Sequence, residues 1–383
     1  MNELKEVSSI GEVREESGKE VPLVVCARNV FIFCLDKLQT SNFLFCLRCL
    51  LLVLLALVGA SLESNMTTEN RDYDALVQDI NLDDITSSFY NAVILRRLRD
   101  GDPNWNKQLF ILEDEIDGDI DDFVVREGDD WGWLGYFIGM SEVLQHLSIY
   151  YLPGDGEQIY AFMRGIAHNQ SIQELYINTD LGDQGFEKLG SFLRNNNSLT
   201  CLQFVNFDIG RECAHNIALA LEQCRHNSLN RFDFMPTDIS DEGFAEIATA
   251  LSTQTQLERL ELNRNNIGRE GCVALGNTIS RWPSTTLKHF VVSNNSIDDQ
   301  GLQTLVEGLT SCVALETLNL SGNHSITSAG LRSMSPLLQS ECCSLKELCL
   351  RGINFGDDGA IALADGLKGN KSVRKLLLVS III

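Results

Sequence analysis

The chain has 383 residues, of which 44% are hydrophobic and 22% charged, a globular composition that excludes wholesale disorder. Its 53 acids against 30 bases give a formal charge of −23, which argues against a protein that grips nucleic acid by neutralising phosphates. The length suggests two or three domains unless the chain is a repeat array, and six histidines leave little material for a His-rich metal site.

Residues 1–65 form the first zone. Within it, residues 43–60 read FLFCLRCLLLVLLALVGA, an apolar run with Arg48 as its one charge. That run reaches the lower limit for crossing a bilayer. Three readings compete. It is a signal anchor; or a cleaved signal sequence, with Val58 and Ala60 at small-residue cleavage positions; or part of an extension foreign to the mature protein, with Met66 as the true start. Lys37 and Arg48 lie before the apolar centre and Glu63 after it, so an anchor would place the C-terminal domain outside the cytosol. Cys46 and Cys49 make a CxxC pair, but without a second pair or a His partner they do not point to zinc or redox chemistry.

Residues 66–143 are expected to be an acidic N-terminal cap, with 19 acids against six bases. Helical apolar spacing runs through residues 73–99 and stops before Pro103. Ten acids then fall between Glu113 and Asp130. Setting Glu113, Glu115, Asp117, Gly118 and Ile120 at calcium-loop places imitates an EF-hand. The imitation fails at Val124, where the loop requires a bidentate Glu. A solvated acidic edge is the expectation. The aromatic run at Trp131, Trp133, Tyr136 and Phe137 is expected to seal the open end of the domain that begins at Leu144.

Residues 144–383 carry about nine units of the pattern L-x-x-L-x-L. They begin at Leu144, Ile172, Leu199, Leu229, Leu257, Leu287, Leu315, Leu345 and Val373. Apolar residues at the fourth and sixth places share one side of a short strand. An Asn position comes after it, filled by Asn265, Asn295 and Asn323, but by Phe207 and Ile353 in other units. Next come a Gly and an apolar pattern of helical period, as in Phe244, Ile247, Ala248 and Leu251. Each unit is therefore strand, turn and helix. None can bury its apolar face alone, so neighbours must stack.

These features resemble the ribonuclease-inhibitor-like family of leucine-rich repeats, similar to the repeats of NOD-like receptors and of Ran GTPase-activating proteins. The resemblance implies an α/β leucine-rich repeat solenoid, a right-handed βα horseshoe with a parallel sheet on the concave face and helices on the convex face. It also implies that Asn265, Asn295 and Asn323 form a structural ladder bonding the backbone of the turns. It does not imply a single function.

Eight cysteines are scattered through the repeats and read as reduced core thiols, which favours a cytoplasmic protein, a single-pass membrane anchor being the alternative. Sequons at Asn169, Asn196, Asn294, Asn319, Asn323 and Asn370 fall where the repeat itself calls for Asn and Ser, so they say little about secretion. Residues 366–372, GLKGNKS, only imitate a phosphate loop, and no nucleophile elbow or zinc motif is present. The sequence implies no catalytic residue, cofactor or metal site.

The third, fifth and seventh places of each unit face away from the core. Among them Tyr150, Tyr176, Arg231, Met235 and Arg259 are residue types enriched at interfaces, and Asp233, Glu261 and His289 lie beside them. The expected function is a non-enzymatic scaffold that binds an unidentified protein on this concave face. The alternatives are a Ran-type GTPase activator and, through residues 43–60, a membrane-anchored leucine-rich repeat receptor. The final unit runs into LLLVSIII, an apolar tail where a solenoid end calls for a polar cap.

Overall fold

The computed structural model describes residues 10–14, 20–24, 71–113, 122–126, 128–152, 156–206, 210–224, 228–235 and 239–378. The apolar run at 43–60, most of the acidic run after Glu113 and the last five residues lie outside the described residues. The chain divides into two units, Met1–Met66 and Thr67–Ile383. In the first, strands β1 (Ile10–Arg14) and β2 (Glu20–Val24) pair antiparallel, with Ile10 opposite Val24 and Arg14 opposite Glu20.

The second unit is built on one eleven-stranded sheet. Nine strands begin at the predicted repeats: β5 (His146–Ile149), β6 (Glu174–Ile177), β7 (Cys201–Val205), β8 (Arg231–Met235), β9 (Arg259–Glu261), β10 (His289–Val291), β11 (Thr317–Asn319), β12 (Glu347–Cys349) and β13 (Lys375–Leu377). They lie in chain order, each parallel to the next. Helices alternate with the strands, as a right-handed parallel crossover requires. This is the α/β solenoid expected from the sequence.

Register explains the core. Leu147, Leu175, Leu202, Phe232, Leu260, Phe290, Leu318 and Leu348 stand in one line across the strands. All are buried beneath the helices. Midway along, Phe204, Phe232, Phe234 and Phe244 pack edge to face, stacked or tilted at centroid separations of 5.6–6.4 Å.

Two asparagine ladders stitch the units together. In the turn after the strand, Asn295 donates to the carbonyls of Leu262 (2.8 Å) and Val292 (3.0 Å), and its oxygen accepts from the N–H groups of Asn265 and Ile267. Asn323 donates to Val292 and Leu320 and accepts from Ile297; Asn265 donates to Phe234. The residue before the ladder position is left-handed in five turns: Asn206, Arg264, Asn294, Gly322 and Gly352. The second ladder lies in the turn before the strand, at positions where the repeat itself calls for Asn and Ser. Asn169, Asn196 and Asn370 each accept two backbone N–H groups of their own turn and donate to carbonyls of the preceding unit. The sequon-like Asn-x-Ser is thus the signature of a turn, and Asn169 and Asn196 are buried within it.

The helix starts are linked as well. Asp241, at the start of its own helix (Asp241–Ala250), accepts from the N–H groups of Gly268, Glu270 and Gly271, capping the next helix. Asp299 does the same for Thr327 and Gly330. A carboxylate at a helix N-terminus satisfies amides that have no partner within the helix.

The segment before Leu144 differs from its expectation as a simple cap. Its residues Gln108–Leu112 (β3) and Asp122–Val124 (β4) extend the sheet, β3 pairing with β5 and β4 lying outermost. The aromatic run forms the helix Trp131–Met140, which connects β4 to β5 rather than closing the end of the sheet. Trp131 packs against Phe123 and Phe162, and Trp133 against Tyr73 and Phe137. The outer edge is instead covered by the helix Phe89–Asp100. Its Asn91 donates to the carbonyl of Val124 (2.8 Å) and accepts from the Val124 N–H (3.2 Å), so the edge strand's backbone groups at Val124 are occupied.

Candidate functional site

The sheet face opposite the helices carries the residues singled out from sequence, and register sets their order. One row runs His146, Glu174, Cys201, Arg231, Arg259, His289, Thr317. The next runs Ser148, Tyr176, Gln203, Asp233, Glu261, Val291, Asn319. Met235 is register partner to Val205 at the end of β8, and Tyr150 directly follows β5.

At the centre, Arg231 bonds Asp233 on its own strand through Nε (2.8 Å) and Nη2 (2.6 Å). One strand on, Arg259 Nη1 bonds Glu261 at 2.8 Å. The two pairs differ from a set of solvated charges. The arginine side chains are 39% and 40% exposed, whereas Asp233 is 0% and Glu261 16% exposed. The guanidinium groups therefore lie over their carboxylates. Burial holds Asp233 above the usual carboxylate range, against the hydrogen bond and charge of Arg231. Its second oxygen, Oδ1, has no hydrogen-bond partner.

Toward the N-terminal end, Tyr150 and Tyr176 meet at a ring separation of 5.0 Å and a tilt of 37°. Burial and the neighbouring Tyr150 raise the Tyr176 hydroxyl above its ordinary value. The Met235 thioether Sδ accepts from Asn263 Nδ2 at 3.2 Å. In the same row as the arginines, Cys201 is buried and its thiol is pushed up to about 11. That keeps it protonated and unreactive near neutral pH.

His289 stands beside Arg259 and contacts Thr317 Oγ1 through Nδ1 at 3.1 Å. Burial first, and then the charge of Arg259, hold its pKa below 6.5. The folded state thus prefers the neutral ring, and the stability this represents is lost as pH falls through the unfolded-state value toward the folded one. An NMR titration should place His289 below 6.5, and Arg259→Gln should move its midpoint up; an unmoved midpoint would show that Arg259 does not act on the ring.

The sequence placed these residues on one face but missed which of them are covered. His146 and His289 lie five strands apart along the first row, and they form no pair. No group of three or more His, Cys, Asp or Glu able to hold a metal occurs among the described residues. No helix among them is long and apolar enough to cross a membrane. Of the repeat cysteines, Cys201, Cys224, Cys272, Cys312 and Cys349 are buried and joined in no disulfide.

The family model for the Leucine Rich repeat matches residues 253–276, 284–306, 311–335 and 341–364. Ribonuclease inhibitor of Sus scrofa is 29% identical over 226 residues, which cover 51% of this chain and 49% of that protein. The matched segments are leucine-rich repeats, and the array is similar to that of ribonuclease inhibitor. NACHT, LRR and PYD domains-containing protein 14 of Mus musculus is 26% identical over 183 residues, 48% of this chain. The leucine-rich repeat chain spans 18% of that relative's length and about half of the inhibitor's. Leucine-rich repeat proteins generally use such a surface to mediate protein–protein interaction.

Proposed function

We propose that this leucine-rich repeat protein is a non-enzymatic scaffold whose concave face binds a protein partner. The observation that carries the reading is the gathering of Tyr150, Tyr176, Arg231, Met235 and Arg259 on one sheet face, with Asp233, Glu261 and His289 holding or flanking the arginines. Tyrosines and arginines supply much of the energy at interfaces because they combine large contact area with fixed hydrogen-bonding geometry. Guanidinium groups already held by carboxylates lose little further rotamer freedom on binding.

Replacing Arg231 and Arg259 together by Glu should abolish capture of the partner in a quantitative pulldown with the full chain as bait. Capture undiminished by the double reversal, with circular dichroism unchanged, would remove the central patch from the interface.

A further inference from the structure

The chain as a whole is strongly acidic, yet its central concave patch presents cations outward. Asp233 is fully covered and Glu261 mostly covered, while the Arg231 and Arg259 side chains keep about two-fifths of their surface. A guanidinium has five N–H donors. Asp233 takes two from Arg231, and Glu261 takes one from Arg259. The two arginines, each with donors left over, stand side by side on the sheet face, because Arg231 and Arg259 are register partners. Cys201 and His289 flank them in the row, the one a buried thiol and the other held toward its neutral form. The next carboxylate along this row, Glu174, is two strands away and lies 3.2 Å from His146.

Beside this patch stands the aromatic pair. Tyr176 on β6 is two strands from Arg231 on β8 and three from Arg259 on β9. At a strand spacing of about 4.8 Å, and with the tyrosine two residues further along its strand than the arginines, these separations are roughly 12 and 16 Å, which an extended peptide crosses in about four or five residues.

We propose that the segment of the partner seated here is an extended acidic peptide. Its paired carboxylates lie over Arg231 and Arg259, and an aromatic residue about four or five positions away lies against Tyr150 and Tyr176. Carboxylates match the fork geometry of the free donors, and the rings of the tyrosine pair offer an apolar face to an aromatic side chain. This inference rests on the concave-face reading above and adds the chemistry of the partner to it.

The test is fluorescence anisotropy with the full chain and labelled peptides in which one aromatic residue and a carboxylate pair are separated by none to six glycines. Affinity should peak at a separation of three or four glycines and fall tenfold or more when lysines replace the carboxylates. Arg259→Gln and Arg231→Lys should each weaken it several-fold. These two changes are chosen because Glu261 is partly solvated and because a lysine keeps a cation above buried Asp233. Tyr176→Ala should weaken it as well. If lysine peptides bind as tightly as acidic ones and respond to the same substitutions, the acidic inference falls while the concave-face reading stands. If acidic peptides bind but ignore all these substitutions, both fall. Absence of binding by every acidic peptide overturns the inference.

Discussion

Alanine at Gly135 or at Gly165 should unfold the N-terminal end of the array. These glycines lie where the helix Trp131–Met140 crosses the helix Gly156–Ile166. A Cβ at Gly135 would stand 2.2 Å from the Phe162 carbonyl oxygen, and one at Gly165 would stand 2.2 Å from the Gly135 carbonyl carbon. At Gly139 it would meet the Gly165 carbonyl oxygen at 2.1 Å. The obstructing atoms are backbone, which no rotamer change can move, so the helices must separate. The expected cost is at least ~3 kcal/mol, the upper range for overpacking. Gly156→Ala is the control, because nothing lies within 4 Å of its added carbon. Thermal denaturation should show a loss of several degrees for Gly135→Ala and little change for Gly156→Ala. Hydrogen exchange should rise first in residues 89–166, since each unit of a solenoid depends on its neighbours. Equal melting of the two variants would refute the close crossing.

Leucine in place of Asn295 or Asn323 should destabilise the array by roughly 3 kcal/mol, although leucine is of similar size and more apolar. Both asparagines are buried, and their side chains are the partners of backbone groups in the turn. Losing one partner leaves buried N–H and C=O groups unsatisfied, at about 1–3 kcal/mol each. The two sites are coupled, because Asn295 and Asn323 both donate to the Val292 carbonyl. The double variant should therefore lose less than the sum of the singles in denaturant unfolding. Strict additivity would show that the shared carbonyl is not an energetic link. A loss below about 1 kcal/mol for either single would show that water or relaxation replaces the ladder. The next unit fills the position with buried Ile353, so the array itself contains the end of the ladder.

The strands from β5 to β13 were legible because each repeat is an independent copy of one local pattern. Alternation sends Leu175 and Ile177 to the core and Tyr176 to the groove, and eight further units confirm the phase. Asn265, Asn295 and Asn323 stood out for the same reason. The second ladder was legible only in part: the repeat called for Asn and Ser at Asn169 and Asn196, but which backbone groups they bond is decided by the turn around them. The strands Gln108–Leu112 and Asp122–Val124 escaped because they match no repeat, and a single short apolar segment does not reveal its pairing partner.

The concave patch shows the same division. The sequence alone placed Arg231 beside Arg259 and Asp233 beside Glu261, because strand register follows from repeat phase. It could not show that the carboxylates lie beneath the guanidinium groups, or that Asp233 is fully covered. Burial on a sheet face is set by side chains arriving from neighbouring strands, which lie some 30 residues apart in the chain. Helix contact at Gly135 and Gly165 is decided in the same way, by two backbones meeting in space. The sequence by itself determined the repeat, its phase and the face each side chain takes, since these are local periodicities. The tertiary structure alone decided the added edge strands, the closeness of the helices and the exposure of each charge, since these depend on what distant segments bring together.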